Sequence, residues 1–150
     1  MNSPFPPDCP YYLISRATLS VTSHLKKEFA TEGISTIKPA YLGVLLALWN
    51  KDGLKANELG KRAGLEPSTM TGLLDRMERD RLVKRDTDPA DRRANRIHLT
   101  QAGVDAKTSA TKVVSNTLDK VFHSIPKKDI ETTKQVLRTI LLNCGKEVLK

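Results

Sequence analysis

The sequence predicts a mainly α-helical fold that carries a small β-wing. Residues 55–80 have the pattern of two helices joined at a glycine, and residues 82–99 follow as two strands with an arginine-bearing connection. Long helices with apolar stripes precede and follow these motifs. Together the observations predict a winged helix-turn-helix core over residues 37–100, flanked by N- and C-terminal dimerisation helices. Residues 1–150 are enough for a single domain with a full hydrophobic core.

The N-terminal part is predicted to contain an arm and two helices. Residues 1–10 hold four of the eight prolines, so they are expected to form a loose arm rather than a helix. Apolar residues recur at helical spacing within residues 11–35, and Gly33 suits the end of that helix. The next helix is expected to carry Pro39 in its first turn. It should be central in the core, because residues 40–49 are apolar almost all round.

The following two helices have the spacing of a helix-turn-helix. The first is predicted over residues 56–63 and ends at Gly64, which can adopt the left-handed conformation of a helix C-terminus. The second is predicted over residues 67–79, with Pro67 in its first turn. Four residues of this second helix are expected to face the core, namely Met70, Leu73, Leu74 and Met77. Its opposite face carries Ser68, Thr69, Thr71, Gly72, Asp75, Arg76 and Arg79.

Two short strands are predicted next, over residues 82–85 and 96–99. Their connection, residues 86–95, is long for a tight hairpin and is therefore expected to project. Residues 81–98 contain six cations and three carboxylates, a local excess of three positive charges. A helix that starts with small polar residues, followed by a cationic hairpin, has the parts needed to read one groove of DNA and to touch its neighbour. The pattern therefore predicts sequence-specific DNA binding.

The C-terminal part, residues 101–150, is predicted to form two further helices, the first of them capped by Thr100. The apolar stripes around Val21, Val113 and Leu141 lie outside the winged core and need a cover. A second copy of the chain is the simplest cover, because closed two-fold assemblies are the commonest oligomers. The sequence therefore predicts a homodimer.

The composition favours a polyanionic partner. The formal net charge is +8, although charge alone leaves open a basic protein with no such partner. The longest apolar run, residues 40–49, falls far short of the ~20 residues that span a bilayer, and the N-terminus lacks the pattern of a secretory signal. Two cysteines make no disulfide framework, so a cytoplasmic protein is expected. The three histidines are far apart in the sequence, and neither a metal site nor a cofactor is expected.

Four stretches of the sequence resemble the MarR family of bacterial regulators. They are the turn GLEPSTMT, the run LLDRMERDRLVKR, the wing DPADRR and the strand-to-helix junction IHLTQAG. Their order and spacing match the family, and the flanking helices fit its dimerisation helices. The resemblance implies a homodimeric winged-helix protein that binds a pseudo-palindromic promoter site in double-stranded DNA. It also implies release of the DNA by a small-molecule effector, of phenolic or lipophilic character, or by an oxidant.

The resemblance assigns DNA contacts to the second helix of the motif. Ser68, Thr69 and Thr71 would approach the major groove or its phosphates, and Arg76 would brace the helix or the DNA backbone. Ser68 and Thr69 could instead serve only to cap and solubilise the helix. Gly72 departs from the family, in which many members have an arginine or another long side chain. Glycine removes a candidate base contact there, which favours shape readout through the wing or a closer backbone approach.

The wing supplies the other candidate contacts. By resemblance, Asp91 would orient the wing, Arg93 would enter the minor groove, and Arg92 would be a further DNA contact. Without the wing context, the two arginines could be solvated loop charges and Asp91 an ordinary turn residue.

The cysteines and several aromatic residues are open to two interpretations. Cys144 lies on the apolar stripe of the last helix and is expected to be a buried, inert core residue. Cys9 lies in the arm, just ahead of Tyr11 and Tyr12. Peroxide-sensing members of the family also carry a cysteine near the first helix with tyrosines close by, so the resemblance makes Cys9 a redox candidate, although its spacing differs from theirs. Three residues are expected in the core rather than in a ligand site, namely Trp49, Tyr41 and His24.

Three classes of function compete. A transcriptional regulator, most often a repressor, is favoured. The alternative is a winged-helix protein-interaction module without specific DNA binding, which the cationic wing and its lack of aromatic residues oppose. An enzyme is not expected, because the sequence displays no nucleophile–base pair, carboxylate pair, phosphate loop or metal-ligand cluster.

Overall fold

A computed structural model describes residues 7–148, and it is mainly α-helical with one small sheet, as the sequence predicts. The predicted arm falls largely on residues 1–6, outside the described residues. Pro10 is the first residue of a helix rather than the last of the arm, because a helix needs no amide hydrogen bond at that position. The elements in chain order are α1 Pro10–Thr31, a 3-10 helix Pro39–Tyr41, α2 Leu42–Asn50, β1 Leu54–Lys55, α3 Ala56–Ala63, α4 Pro67–Arg79, β2 Val83–Asp88, β3 Asp91–Leu99, α5 Gln101–Val121 and α6 Lys127–Asn143.

The chain divides into two compact units. Among the described residues, one unit contains residues 7–39 together with Ala110–His123, so it combines α1 with the second half of α5. The other contains Ala40–Ser109 together with residues 124–148, and it holds the sheet, α2, α3, α4 and α6. The interpretation of residues 1–150 as a single domain stays a prediction.

Helix α1 of the first unit buries one side chain, Phe29, and exposes most of the others. It ends near Gly33 as predicted. The φ of Gly33 is +72°, and the amide of Ile34 donates to the carbonyl of Phe29 at 2.8 Å. The prediction that His24 is a core residue is wrong. The side chain is exposed, and its Nδ1 lies 3.0 Å from the carbonyl oxygen of Ser20 on the same helix.

The second half of α5 provides the other buried stripe of the first unit. Ala110, Val113 and Thr117 are buried, and the Thr117 hydroxyl donates to the carbonyl of Val113 at 2.8 Å. The expectation that the stripe around Val113 needs a second chain to cover it is therefore wrong. Val21 is already half-buried.

The two helices of the helix-turn-helix have the predicted bounds. Helix α3 ends at Gly64, whose φ of +72° lets the amide of Leu65 donate to the carbonyl of Gly60 at 2.9 Å. Pro67 opens α4. The four residues of α4 predicted to face the core are buried, namely Met70, Leu73, Leu74 and Met77. Tertiary packing thus agrees with the helical periodicity of this segment.

The sheet has three antiparallel strands in the order β1-β3-β2, whereas the sequence predicts only the last two. Strand β1 has two residues, too few for an alternating pattern. Leu54 of β1 pairs with Ile97 of β3, and both are buried. This pairing fixes the start of α3 on the edge of the wing.

Helix α2 and its preceding turn supply the centre of the second unit's core, including Val44, Leu45, Ala47 and Leu48. The helix is central in this core as predicted, although one of its apolar side chains, Leu46, is 58% exposed. The Trp49 indole donates to the carbonyl of Gly103 at 2.9 Å. Tyr41 is buried as predicted, and its hydroxyl donates to Oδ2 of Asp80 at 2.6 Å.

The start of α5 is packed tightly against the end of the helix-turn-helix. Thr100 caps α5 as predicted, since its hydroxyl oxygen accepts a hydrogen bond from the amide of Gly103 at 3.1 Å. The amide of Thr100 donates to the carbonyl of Leu82 at 3.0 Å. A Cβ at position 103 would overlap that same carbonyl oxygen. Only glycine fits there without a backbone shift.

Helix α6 begins after Pro126 and buries none of its residues. Leu137, Leu141 and Leu142 are among its exposed apolar side chains. Cys144, just past its end, is exposed, so the prediction of a buried cysteine is wrong for the single chain. The apolar stripe exists as predicted, but no surface of the described chain covers it.

Candidate nucleic-acid interface

The polar face of α4 is open to solvent. Ser68, Thr69, Thr71 and Arg76 are all exposed, and they share the face opposite the four buried apolar residues. The Thr71 hydroxyl donates to the carbonyl of Pro67 at 3.2 Å, which leaves its oxygen as an acceptor toward solvent. The arrangement places small polar side chains at the N-terminal end of the helix and the guanidinium of Arg76 about two turns after Ser68 and Thr69.

Gly72 lies on the same exposed side of α4. A Cβ built there would meet only the end of Arg76, at 3.9 Å from Nη1. The position therefore has room for a side chain. A partner that approaches this face can come closer to the helix backbone than it could with a long residue.

The wing is a longer hairpin than the sequence predicts. Strand β2 continues to Asp88 and β3 begins at Asp91, so Pro89 and Ala90 alone form the turn. The prediction of a ten-residue projecting connection is wrong. Both faces of this part of the ladder are mostly exposed, so its sequence lacks the alternation of apolar and polar residues that marks a half-buried strand.

A bulge near the tip separates Arg92 and Arg93 from the strand ladder. The register pairs Thr87 with Asn95 but Asp88 with Asp91, which leaves residues 92–94 without partners on β2. Both arginines are exposed. Bulges bend a strand and redirect its side chains. Here the bulge takes two exposed arginines out of the regular strand pairing.

Asp91 shapes the bulge from within. Its Oδ1 accepts a hydrogen bond from the amide of Arg93 at 2.9 Å. A carboxylate that binds the amide two residues later is a common device for fixing a turn. The contact is the geometry that an orienting role for Asp91 requires, and the role itself stays a prediction.

Asp88, the last residue of β2 before the turn of the wing, is a buried carboxylate that the sequence analysis does not single out. Its Oδ1 accepts from the amide of Ala90 at 2.9 Å. Its Oδ2 lies 3.5 Å from Nζ of Lys55 and 3.4 Å from Nε of Arg96. The hydrogen bond from Ala90 lowers the pKa of Asp88, and the two cations add to this effect against the opposing effect of burial. The Asp-Pro pair is a turn signal, but nothing in it indicates burial.

Arg85 of β2 joins the wing to α4. Its Nη2 lies 2.7 Å from Oδ1 of Asp75 and donates to the carbonyl of Thr71 at 3.4 Å. Its backbone amide donates to the carboxylate of Glu78 at 3.3 Å. Arg96 is also engaged, since its Nη1 donates to the carbonyl of Gly53 at 2.8 Å. Two of the six cations counted in the wing therefore act inside the protein.

The far end of α4 is fixed by the hydrogen bond from Tyr41 to Asp80. Burial and this hydrogen bond to a carboxylate both raise the pKa of Tyr41, and burial is the larger cause. Asp80 is the C-cap residue of α4. The helix that carries the polar face is thus attached to β2 along its length, from Thr71 to Glu78, and to the core at its C-terminal end.

A groove of about 580 Å³ lies beside α3, α4 and the segment after α6. Leu65, Met70 and Leu74 give it an apolar wall, and Arg85 also lines it. Lys146 lies 2.5 Å from Oε1 of Glu66 at its rim, and this hydrogen bond lowers the pKa of Glu66.

The other predicted features are placed as follows. Cys9 is half-buried and immediately precedes α1. Between residues 7 and 148, no helix is both long and apolar enough to cross a membrane. The same residues contain no group of three side chains suited to hold a metal ion.

Comparisons with known proteins agree with this geometry. The model of the MarR family matches residues 38–94. The HTH-type transcriptional regulator MhqR of Bacillus subtilis (strain 168) is 23% identical over 89% of this chain and 90% of its own length. The organic hydroperoxide resistance transcriptional regulator of the same organism is 32% identical over 69% of this chain and 68% of its own. The transcriptional repressor CouR, solved bound to a 23-mer DNA duplex, is 25% identical with a TM-score of 0.77, over 89% of this chain and 92% of its own.

This chain belongs to the MarR family. It is a DNA-binding transcriptional regulator of the winged helix-turn-helix type and not an enzyme. The alternative of a protein-interaction module without DNA binding has no support among these relatives.

Proposed function

We propose that the protein is an effector-responsive repressor that binds, as a homodimer, a pseudo-palindromic site in a promoter. The observation that carries the proposal is the joint exposure of the polar face of α4 and the bulged tip of the wing in one compact unit. Ser68, Thr69 and Thr71 would meet the major groove or its phosphates, with Arg76 bracing the helix. Arg92 and Arg93 would reach the adjacent minor groove. Such a regulator would act in the cytoplasm.

The homodimer is proposed from the exposed apolar side chains of α1 and α6. Leu19 of α1 is 70% exposed, and Leu142 of α6 is 61% exposed. Clusters of exposed apolar side chains on a helix mark interaction sites in soluble proteins. Two copies related by a two-fold axis would present two α4 helices to half-sites about one helical turn apart.

The groove beside α4 is the proposed effector site. Its apolar wall suits a phenolic or lipophilic ring, and a few polar groups at the edge could orient it. An effector there would contact Thr71 and Arg85, which join α4 to β2. Displacement of that contact would shift α4 and weaken its fit to DNA.

Selection of duplexes from a randomised library, followed by mobility-shift titration, tests DNA recognition. We expect a site with two related halves and a steep fall of affinity with salt, since each neutralised phosphate releases about 0.9 counterion. Thr69→Ala should weaken binding to the selected duplex. Thr132→Ala, at another exposed threonine, on α6, is the matched control and should not. Equal affinity for selected and random duplexes would contradict the proposal.

A thermal-shift screen of phenolic and lipophilic compounds tests effector control. Compounds that raise the melting temperature should also lower affinity for the selected duplex, because they would bind the form with displaced α4. If compounds bind the protein and leave its DNA affinity unchanged, the groove is not an effector site.

A further inference from the structure

We propose that Asp88 is a positioning residue for DNA recognition, which fixes the wing's arginines relative to the helix-turn-helix through its buried charge. The proposal rests on the proposed function, since it assumes that the wing contacts DNA. It assigns the wing's placement to Asp88 on β2, whereas the resemblance to the family points to Asp91, its pairing partner on β3 across the turn.

Burial is the first observation. Asp88 is 2% exposed, although it is the last residue of a strand in a projecting hairpin and its neighbours Thr87 and Pro89 are exposed. A buried carboxylate is costly unless it is paired or hydrogen-bonded. Asp88 therefore holds a defined set of partners, and those partners lie on different elements.

The partners connect the wing tip to the first helix of the motif. Oδ1 accepts from Ala90 in the turn, while Oδ2 faces Lys55, which directly precedes α3, and Arg96 on β3. Arg96 in turn donates to the carbonyl of Gly53. One carboxylate thus contacts the turn of the wing, the start of α3 and strand β3. These contacts fix the position of the wing relative to the helix-turn-helix.

The interaction of Asp88 with Lys55 and Arg96 depends on its negative charge rather than on its shape. No protein group among residues 7–148 donates a hydrogen bond to Oδ2, and its two cations lie at 3.4 and 3.5 Å. Attraction at such distances in a buried setting depends on a full negative charge. Asp88→Asn keeps the volume and an acceptor for Ala90, and it replaces the negative oxygen that faces Lys55 and Arg96 with a neutral amide group.

The proposal predicts that Asp88→Asn changes the affinity for selected duplex and the affinity for random duplex differently. Asp88→Asn adds one positive charge, so affinity for random duplex should stay the same or rise, because non-specific binding is electrostatic. Affinity for the selected duplex should fall about tenfold, the loss expected when one good groove contact is misplaced. A change that merely destabilised the protein would lower both affinities in the same proportion.

The matched control is Asp86→Asn. It adds the same charge on the same strand, but its carboxylate is exposed and lies beside His98, 3.7 Å from Nε2. It should leave the preference for the selected duplex close to that of wild type. Melting temperatures of both variants would be measured alongside the titrations.

A double-mutant cycle with Arg93→Ala decides whether Asp88 acts through the wing. If it does, Asp88→Asn should cause little further loss of selected-duplex affinity once Arg93 is gone, because the side chain it positions is absent. Fully additive losses, or a wild-type preference in Asp88→Asn, would overturn the inference.

Lys55→Met serves if Asp88→Asn does not fold. Lys55 is 41% exposed, and methionine retains most of its apolar stem. A reduced preference for the selected duplex that disappears in the Arg93→Ala background supports the inference, and an unchanged preference overturns it. A wild-type protein that selects no duplex would overturn the proposed function as well. Selection by wild type with no effect of these variants would overturn this inference alone.

Discussion

Arg93 is positioned by its neighbours rather than by its own side-chain contacts. Its amide is held by Asp91, and the hairpin that carries it is attached to the protein through Asp88. The guanidinium is left exposed. An exposed loop cation contributes little to folding, so its removal should act on binding almost alone.

Arg93→Ala should therefore leave the melting temperature nearly unchanged. It should weaken binding to the selected duplex by about 1–3 kcal/mol, the range for a good groove contact. The loss should be larger for sites with A·T-rich flanks, where the minor groove is narrow and its potential most negative. Thr69→Ala is the comparison, and its effect should not depend on the flanks if its contact is to phosphate. Wild-type affinity in Arg93→Ala at about 150 mM salt would remove the wing from the DNA interface.

Tyr41→Phe should destabilise the protein by about 1.5–3 kcal/mol at pH 7, because it removes a hydrogen bond to a carboxylate. Since the pKa of Tyr41 is raised in the folded state, its contribution is complete below about pH 10, the unfolded value. The contribution is lost as the pH rises through the folded value. Urea unfolding at pH 7 and above pH 10 should find the gap between wild type and variant narrowing at alkaline pH. A constant gap would mean that the hydroxyl is not the cause.

Redox control through Cys9 remains a prediction from the resemblance. Organic peroxide should lower the affinity of wild type for the selected duplex and leave Cys9→Ser unaffected, since only a thiol can be oxidised in this way. Cys144→Ser is the control, because Cys144 is the more exposed of the two cysteines. Equal responses of wild type and Cys9→Ser, including no response in either, would reject the idea.

At the level of single residues, the sequence predicts well which side of a helix is exposed. It predicts poorly which residues distant in the sequence are in contact. The exposed positions of α4, such as Thr69, follow from the 3.6-residue period of its buried side. Asp88 could not be found in this way, because its burial depends on Lys55, which lies 33 positions earlier in the chain. Cys144 was misplaced for the opposite reason. An apolar stripe indicates that a helix face is to be buried. It does not show whether the same chain or a second chain buries it.

At the level of elements, strong local signals gave accurate bounds. Helices α3 and α4 carry a left-handed Gly64 and a first-turn Pro67, and their ends agree with the sequence prediction. Strand β1 was missed because two residues carry no period. The sequence does not predict the part of the two strands near the turn, residues 86–88 and 91–95. Strand pairing there is exposed and needs no alternation of apolar residues.

The junction between β3 and α5 gives a prediction at this level. Gly103→Ala should destabilise the protein by about 2–4 kcal/mol, because the new methyl group would overlap the backbone oxygen of Leu82. Gly72→Ala is the matched change within another helix. The new methyl group would make only an ordinary contact with Nη1 of Arg76, at 3.9 Å, and should stabilise α4 by up to about 1 kcal/mol. Urea unfolding would measure both, and a neutral Gly103→Ala would show that the junction can relax.

At the level of the whole molecule, the exposed apolar residues of α1 and α6 are the main feature that a single chain leaves unexplained. Those of α6 cover much of one helix, and none of its residues is buried. Association with a second copy would bury these side chains and give a dimer with two α4 helices, one for each half-site.

Light scattering at micromolar concentration should therefore give about twice the chain mass of 16.7 kDa. Leu141→Glu should shift the protein toward monomer and weaken binding to the selected duplex, because it places a charge in the proposed interface. Gln135→Glu adds the same charge at an exposed polar position of α6 and is the control. A monomeric wild type that still binds both half-sites tightly would refute the dimer.

The bulge in the wing allows the sequence of residues 92–94 to vary during evolution. Residues 92–94 take no part in the strand ladder, so substitutions there break no pairing between β2 and β3. The hairpin is held by other residues, namely by the contacts of Asp88 and by the ladder from Val83 to Thr87. If the tip contacts DNA as we propose, variation there can change which promoters are preferred while the strand pairing is kept. Descendants of one ancestral gene could acquire new targets at this loop while their cores stayed the same.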